Sequence, residues 1–265
     1  DAATLLWKLE RPVTFDGNES GGSDSPIVTL SRLADEALPM FGRGRNGIFA
    51  DAGLAVSRLV TAFGGASGSG PVHSRLAQGW AAGKRATDLI RRALVLLADH
   101  ELTPSAFGVR VAASTGASVP AALLAGLATL SGPRHGLASQ QLLSLVKRAE
   151  VEGAANVIEQ LLAEGRKVPG FGHPLYPNGD PRASAILGKL VPDAGMEKFL
   201  EAGRRIIGEE PDVDLALAVL VRSEGLPDDA GYRLFAVARA VGWAAHAVEQ
   251  VESGLLIRPR GKYQE

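Results

Sequence analysis

The sequence predicts an all-α protein whose helices pack in layers. Apolar residues recur at three- and four-residue steps in several segments, and this is the period of a helix with one buried face. We find no segment with the strict alternation of apolar and polar residues that a half-buried strand shows. Clusters of Gly, Pro and Ser separate the periodic segments and predict the connecting loops.

Three periodic segments are the clearest predicted helices, and residues 232–253 are expected to form one long helix. The three stripes contain, in order, Ala52, Ala55, Val56, Leu59, Val60 and Phe63; Leu89, Ile90, Ala93, Leu94 and Leu97; and Leu234, Phe235, Ala238, Val241, Gly242 and Ala245. Residues 11–26 and 63–71 are predicted loops because Gly, Ser and Pro cluster there. The second loop lacks the Lys-Ser/Thr ending of a phosphate-binding loop, which favours a connection without a chemical role.

Residues 111–133 carry no charge over a length that would span a bilayer. The stretch reads VAASTGASVPAALLAGLATLSGP, in which small residues and an internal proline replace the dense large apolar residues of a membrane span. We therefore expect a buried helix that packs closely through its small residues.

The composition narrows the class of partner. The formal net charge is -1 and charged residues make up 22% of the chain, so there is no general attraction to nucleic acid or to an anionic membrane. The chain has no cysteine, which excludes disulfides, thiolate metal ligands and a cysteine nucleophile. This composition is typical of a protein of the reducing cytoplasm.

Three of the five histidines stand in segments that suggest chemistry. His100 follows a predicted helix, His135 lies in LSGPRHGLAS, and His173 lies in VPGFGHPLYPNGDPRA. Each alone is compatible with a structural role, but the glycines and prolines around His135 and His173 are typical of ligand-binding loops. Neither has a second ligand at zinc spacing, and the G-x-S-x-G nucleophile sequence is absent. A metal site and a serine hydrolase are therefore disfavoured.

Three charged segments allow a structural and a functional interpretation. In PDVDLALAVLV, either Asp212 or Asp214 caps a helix, and the other aspartate is then available for a different task. Arg239 lies beside the apolar stripe of its helix, where it either extends to water or meets a buried anion. The terminal IRPR, which contains Arg258, is either a solvated basic tail or an extended binding arm.

Six segments, taken in order, resemble the citrate synthase family. GFGHPLYPNGDPRA is the most specific match, because the family carries G-[FY]-G-H followed closely by D-P-R. The other five are LADHELTPSAFGVRVAAST, LSGPRHGLAS, PDVD, LFAVARAVG and IRPR. They are similar to the family's DHE, GP-x-HG, N-V-D, LFG-x-SRA-x-G and RPR segments. The resemblance runs from about Leu5 to Lys262, which is nearly the whole chain.

The resemblance implies an all-α homodimer in which each subunit has a large domain and a small domain that closes over substrate. By position, residues 1–136 and 221–265 would form the large helical domain, and residues 137–220 would form the small domain. Family members carry further residues before the segment that resembles AATLLWKLE, so an additional N-terminal region is expected. No metal and no permanently bound cofactor is implied, and acyl-CoA is a substrate.

The resemblance also implies roles for individual residues. Asp214 would be the general base that removes a proton from the α-carbon of the acyl-CoA. His135 would donate a hydrogen bond to the thioester oxygen, and His173 would polarise the ketone of the 2-oxo acid. The carboxylates of a dianionic acid would be bound by His100, Arg182, Arg239 and Arg258, with Arg258 reaching into the partner's site. Backbone contacts to CoA would come from Val168, Pro169, Gly170, Phe171 and Gly172.

The chain departs from the common family pattern at several positions near these groups, namely Leu97, Thr103, Ser139, Pro174 and Pro177. The departures keep the predicted catalytic groups, and they leave open how the CoA phosphates are contacted and which 2-oxo acid is bound.

The predicted function is an acyltransferase that condenses acetyl-CoA with oxaloacetate to give citrate and CoA, the chemistry of the tricarboxylic acid cycle. A 2-methylcitrate synthase and a citryl-CoA lyase would use related sites. Outside the enzymes, the alternative is a catalytically idle sensor of a CoA ester or a dicarboxylate. The presence of Asp214, His135 and His173 together disfavours the sensor, and a helical scaffold would leave the glycine-flanked histidines unexplained.

Overall fold

The computed structural model describes residues 2–10, 13, 15, 24–133 and 135–261, and it confirms the all-α prediction. The regular structure of these residues is helical, and no strand occurs among them. The helices are α1 Ala2–Leu6, α2 Pro26–Glu36, α3 Arg45–Ala62, α4 Val72–Gly79, α5 Lys84–Leu97, α6 Pro104–Ser114, α7 Val119–Leu130, α8 Ala138–Glu152, α9 Ala154–Ala163, α10 Pro181–Leu187, α11 Ala194–Ile207, α12 Val213–Ser223 and α13 Ala230–Ser253.

The predicted helices lie where the apolar periodicity indicated. The first two stripes fall on α3 and α5, and the third falls on α13, which also contains the long helix expected at 232–253. The predicted loop after α3 is a loop, with positive φ at Gly64, Gly68 and Gly70. The predicted loop at 11–26 lies for the most part outside the described residues.

Three helices begin with the same local signal. Ser25, Thr103 and Asp180 cap α2, α6 and α10, and each side chain accepts a hydrogen bond from a backbone N–H of the first turn. In each case the next residue is a proline, whose fixed φ suits the first helical position and whose missing N–H is not needed there. These boundaries therefore follow from the dipeptides S-P, T-P and D-P.

The chain divides into two compact units, and unit 1 comprises Asp1–Val72, Ala98–Leu130 and Val237–Glu265. Within it α6 packs against α7, and α7 also contacts α2 and α3. The uncharged segment 111–133 contributes the end of α6 and all of α7. A Cβ on Gly126 of α7 would come within 2.6 Å of Val109 Cγ2 and 2.9 Å of Trp243 Cδ2. This confirms close packing through small residues.

The uncharged segment differs from the prediction in one respect, because it forms parts of two helices and not a single one. The chain turns between α6 and α7 at Gly116, which has a φ of 81°. No helix among the described residues is long and apolar enough to cross a membrane.

Unit 2 comprises His73–Leu97 and Ser131–Ala236. Here α8, α9 and α11 pack together, α12 contacts α8 and α10, and α10 contacts α5. Residues 215–221 of α12 are all buried, so this helix is enclosed on every side and forms the centre of the unit. The small domain predicted at residues 137–220 falls within unit 2, which also contains 73–97, 131–136 and 221–236. The domain assignment itself stays a prediction.

Candidate active site

The loop at residues 168–172 is paired with the residues that lead into α12 through one antiparallel bridge, between Phe171 and Pro211. The N–H of Gly172 donates to the carbonyl of Glu210 at 3.0 Å, and the N–H of Asp212 donates to the carbonyl of Gly170 at 2.9 Å. Gly170 and Gly172 have φ values of 88° and 72°, a region that favours glycine. These glycines let the loop predicted to contact CoA turn tightly beside the N-terminus of α12.

Asp212, and not Asp214, caps α12. One oxygen of Asp212 accepts the N–H groups of Asp214 and Leu215 at 2.9 and 3.1 Å. Burial raises the pKa of Asp212 to about 6, and the charge of Asp180 adds to this rise against the two N–H donors. The sequence left open which of the two aspartates caps the helix, and the structure assigns the cap to Asp212. The half-buried Asp214 lies in the first turn and does not cap the helix.

Asp180 links the D-P-R segment to the same helix. Its side chain is 1% exposed and forms an ion pair with Arg182, with 2.7 Å between Oδ2 and Nη2. Its Oδ2 also accepts the N–H of Val213, the first residue of α12, at 3.2 Å. Although burial alone would raise the pKa of Asp180, the hydrogen bonds and charge of Arg182 lower it. One buried carboxylate thus holds an arginine and a helix N-terminus together.

Arg182 and His173 both contact the ring of Tyr176. The guanidinium of Arg182 is 5.3 Å from the ring centroid of Tyr176, and the ring of His173 is 5.0 Å from the same ring. Nδ1 of His173 accepts the N–H of Leu175 at 3.2 Å. Because an acceptor nitrogen carries no hydrogen, a neutral His173 has its hydrogen on Nε2.

The charge state of His173 follows from its surroundings. Partial burial lowers its pKa, the neighbouring charge of Arg182 lowers it further, and Asp180 opposes the shift in part. With a pKa below the usual histidine range, His173 is neutral at pH 7. It therefore offers an Nε2–H donor and not a positive charge.

His135 lies in the turn before α8, where its backbone N–H donates to the carbonyl of Gly132 at 3.0 Å. Its ring meets the edge of Phe235, the two ring centroids being 6.0 Å apart at an interplanar angle of 77°. Phe235 belongs to the first part of α13, so the glycine-flanked histidine is supported by the LFAVARAVG segment. His135, His173, Asp214, Arg182 and the loop 168–172 all belong to unit 2.

The remaining candidates, His100, Arg239 and Arg258, belong to unit 1. Arg239 is 0% exposed and donates to the hydroxyl of Thr103 at 3.3 Å, so it does not extend to water. His100 is half-buried in the segment before α6. Arg258 is exposed and lies beyond the end of α13, after a turn at Gly254 with a φ of 65°.

Sequence reasoning missed the residues that hold these candidates in place. Asp180 and Tyr176 fix Arg182 beside His173, and Asp99 and His246 are hydrogen-bonded next to His100 at 3.1 Å. Asp180 could have been found from the D-P-R segment, because an N-cap aspartate two residues before an arginine can reach it. The contact between Asp99 and His246 spans 147 positions, and no local pattern indicates it.

No group of three or more His, Asp or Glu side chains suited to a metal ion occurs among the residues that the structure describes.

The family model and the curated relatives that match this chain point to the same family. The family model for the C-terminal domain of citrate synthase matches residues 65–260. Citrate synthase 2 of Bacillus subtilis is 36% identical over 187 residues, which are 66% of this chain and 50% of that protein. The 2-methylcitrate synthase 1 of Corynebacterium glutamicum is 31% identical over 183 residues, which are 65% of this chain and 48% of that protein. The chain thus spans about half the length of the curated relatives it matches.

The fold is also found among solved structures. A citrate synthase of Thermoplasma acidophilum, in a ternary complex with carboxymethyl coenzyme A and oxaloacetate, matches with a TM-score of 0.77. The match covers 100% of this chain and 76% of that one, at 22% sequence identity. At this level of identity the likeness concerns the fold alone.

Proposed function

The chain belongs to the citrate synthase family, and on that premise we propose that it is an acyltransferase that acts on an acyl-CoA and a 2-oxo acid. The donor is acetyl-CoA and the acceptor is oxaloacetate. The acyl α-carbon loses a proton to a base, the enolate forms a carbon–carbon bond with the keto carbon, and the keto oxygen takes up a proton. Water then hydrolyses the thioester of citryl-CoA to give citrate and free CoA.

The cluster around the N-terminus of α12 carries this proposal. Asp214 lies in the first turn, and Asp212 supplies the cap. Asp180 holds the same N-terminus and fixes Arg182, whose guanidinium lies over the ring next to His173. Hydrogen bonds and the contacts with the Tyr176 ring thus bring a carboxylate, a neutral donor and a cation into one cluster. Proton removal next to a carbonyl addition requires this combination.

In this proposal the three catalytic groups have different tasks. Asp214 is the base, His135 donates a hydrogen bond to the thioester oxygen as enolate charge develops there, and His173 donates to the ketone oxygen. The neutral state of His173, with its hydrogen on Nε2, supports the donor role. Donors fixed in advance lower the barrier, because they need no reorientation when charge appears.

The carboxylates of oxaloacetate would be bound by His100, Arg182, Arg239 and Arg258. The complete burial of Arg239 supports its assignment, because a guanidinium withdrawn from water is stabilised by a bound anion. The loop 168–172 would contact CoA through its backbone, and its two positive-φ glycines permit the close approach of a ligand.

A homodimer with shared sites is part of the same proposal. The apolar side chains of Leu102, Phe107 and Val111 in and before α6 are 56%, 43% and 37% exposed, and a second copy of the chain would cover them. The exposed Arg258 would then reach the partner's site. We propose no nucleic acid or membrane partner, and the cytoplasmic location stays a prediction.

A second donor has its own support, because one of the matched relatives is a 2-methylcitrate synthase. The two reactions differ by one methylene on the acyl group, and a pocket distinguishes such substrates by only about 1–3 kcal/mol. The architecture is compatible with both donors, so an assay has to distinguish acetyl-CoA from propionyl-CoA.

The test is the release of free CoA by full-length protein. Reactions contain acetyl-CoA or propionyl-CoA with and without oxaloacetate, and the product is identified by mass spectrometry. We expect release only when oxaloacetate is present, with citrate or 2-methylcitrate as the product. Release without the oxo acid would indicate a thioesterase, and binding of both ligands without turnover would indicate the sensor. Either result contradicts the proposal.

A further inference from the structure

The segment 98–103, here called the His100 turn, directly precedes α6 and contains a strained residue. Glu101 has a φ of 54°, a left-handed conformation that is unfavourable for a residue with a side chain. Such a conformation persists only where surrounding contacts hold it. The contacts that hold this turn therefore also position the side chain of His100.

One face of α13 supplies those contacts. Arg239, Gly242 and His246 are spaced by three and four residues, so they lie on the same side of the helix. Arg239 donates to Thr103 at one end of the turn. A Cβ on Gly242 would come within 3.0 Å of Asp99 Oδ1 and would clash with the carbonyl oxygen of Ala98. The turn therefore rests directly on the backbone of α13.

His246 is held in one tautomer by a guanidinium. Nε of Arg110 donates to Nδ1 of His246 at 3.0 Å, and a guanidinium can only donate. Nδ1 is then the acceptor, so Nε2 carries the hydrogen and donates to Asp99 Oδ1 at 3.1 Å. Although burial alone would raise the pKa of Asp99, His246 and the backbone N–H of the adjacent His100 lower it. A continuous chain of hydrogen bonds thus runs from Arg110 through His246 to Asp99, the residue that directly precedes His100.

We propose that His246 is a positioning residue for the 2-oxo acid: through Asp99 it fixes the His100 turn and keeps the Asp99 carboxylate turned away from Arg239. This inference rests on the proposed function, because His100 and Arg239 are assigned there to the substrate carboxylates. The charge of Arg239 is already felt by Asp99. Without the His246 bond, Asp99 is released to pair with Arg239 and to compete with the substrate for it.

The test compares three substitutions in the full chain. Gln at position 246 keeps one donor for Asp99 and one acceptor for Arg110, whereas Leu has a similar size and neither group. Glu249→Gln is the matched control, because Glu249 forms an ion pair with the same Arg110 on its exposed side and does not contact Asp99. For each protein we would measure kcat and the two KM values. Hydrogen–deuterium exchange of residues 98–103 provides a readout that needs no activity.

His246→Leu is expected to raise the KM for oxaloacetate about tenfold, as the loss of one hydrogen bond to a charged group would do. The KM for acetyl-CoA should change less than about twofold, and exchange in the His100 turn should accelerate. His246→Gln should restore both properties, and Glu249→Gln should resemble the wild type. A uniform loss of kcat and stability that Gln does not rescue would overturn the proposal.

The two proposals fail in different ways. Wild-type protein without turnover would refute the proposed function, whatever His246 does. Unchanged exchange of residues 98–103 in His246→Leu would refute the positioning role, even in an active enzyme.

Discussion

The α12 cluster of unit 2 and the His100 turn of unit 1 are held by different means. In unit 2 the supports are closer in sequence: Asp180 binds Arg182 two positions away and Val213 33 positions away. In unit 1 the supports come from a distant helix, since Asp99 meets His246 147 positions away. The first arrangement is encoded largely by a short segment, and the second depends on α13 packing correctly.

This difference has energetic consequences. The α12 cluster contains a buried ion pair whose loss leaves a charge without compensation, so its supports are also important for stability. The His100 turn is held by a half-buried histidine and a close backbone contact, so its supports can be altered with less effect on the fold. We therefore expect substitutions of Asp180 to affect stability and catalysis together, and those around His246 to act mainly on substrate affinity.

The largest effect is expected at Asp214, where the α12 cluster would meet the substrate. Asp214→Asn should lower kcat by about 10²-fold or more, because a general base contributes that much, with little change in CoA-ester affinity. Asp212→Asn is the control, because asparagine caps a helix about as well as aspartate. Turnover near the wild-type level in Asp214→Asn would remove this residue from the mechanism.

A mixing experiment combines a substitution in unit 1 with one in unit 2. Arg258→Ala and Asp214→Asn subunits, each inactive alone, are combined after subunit exchange has been confirmed. If Arg258 reaches the partner's site, the mixed dimer has one site with both defects and one with neither. About half of the wild-type activity per dimer should then return. If activity stays absent, Arg258 serves its own subunit and the shared site is wrong.

Stability measurements test the ion pair at the base of α12. Asp180→Ala should lower the free energy of unfolding by about 3 kcal/mol, because Arg182 stays buried without its carboxylate. Asp228→Ala provides the comparison, since the Lys147–Asp228 pair is 59% and 79% exposed and should contribute less than about 1 kcal/mol. Denaturant unfolding gives both values. Equal costs in the two variants would contradict the structural role assigned to Asp180.

The smallest effect concerns the pH dependence of stability. The pKa of Asp212 is about 6 in the folded chain and near 3.8 when unfolded, so the folded state binds more protons between these values. Its contribution to the free energy of unfolding is therefore full below pH 3.8 and is lost as pH rises to 6. Asp212→Asn should remove this loss, so between pH 4 and pH 7 its free energy of unfolding should rise relative to that of the wild type by about 2 kcal/mol. A difference independent of pH would show that Asp212 titrates normally.

The fold and the positions of the candidate groups could be predicted largely from the sequence. Apolar periodicity located α3, α5 and α13, because each buries one face in a local pattern of three- and four-residue steps. The short ordered segments indicated His135, His173 and Asp214, whose roles stay predictions. Those segments are informative because their glycines and prolines determine the backbone conformation directly beside the polar residue.

Other features depend on tertiary packing and could not be predicted. Whether Asp212 or Asp214 caps α12 depends on the residue at which the helix begins, and Asp212 has the extended backbone of a cap residue. Whether Arg239 reaches water depends on what surrounds α13, and the structure buries it completely. The role of His246 could be inferred only from its contact with Asp99. The sequence indicates only that His246 and Arg239, seven residues apart, share one face of a helix.

If His173 has the proposed role, the bond between the Leu175 N–H and His173 Nδ1 would also protect it from a side reaction. In a neutral imidazole the nitrogen without hydrogen is the nucleophile, and here its lone pair is occupied by a backbone donor. A thioester is an acylating agent, and a histidine with an accessible lone pair would be acylated by it. In the proposed mechanism His173 would present N–H to the substrate instead of a nucleophile, so it could polarise a carbonyl for many turnovers without becoming acylated.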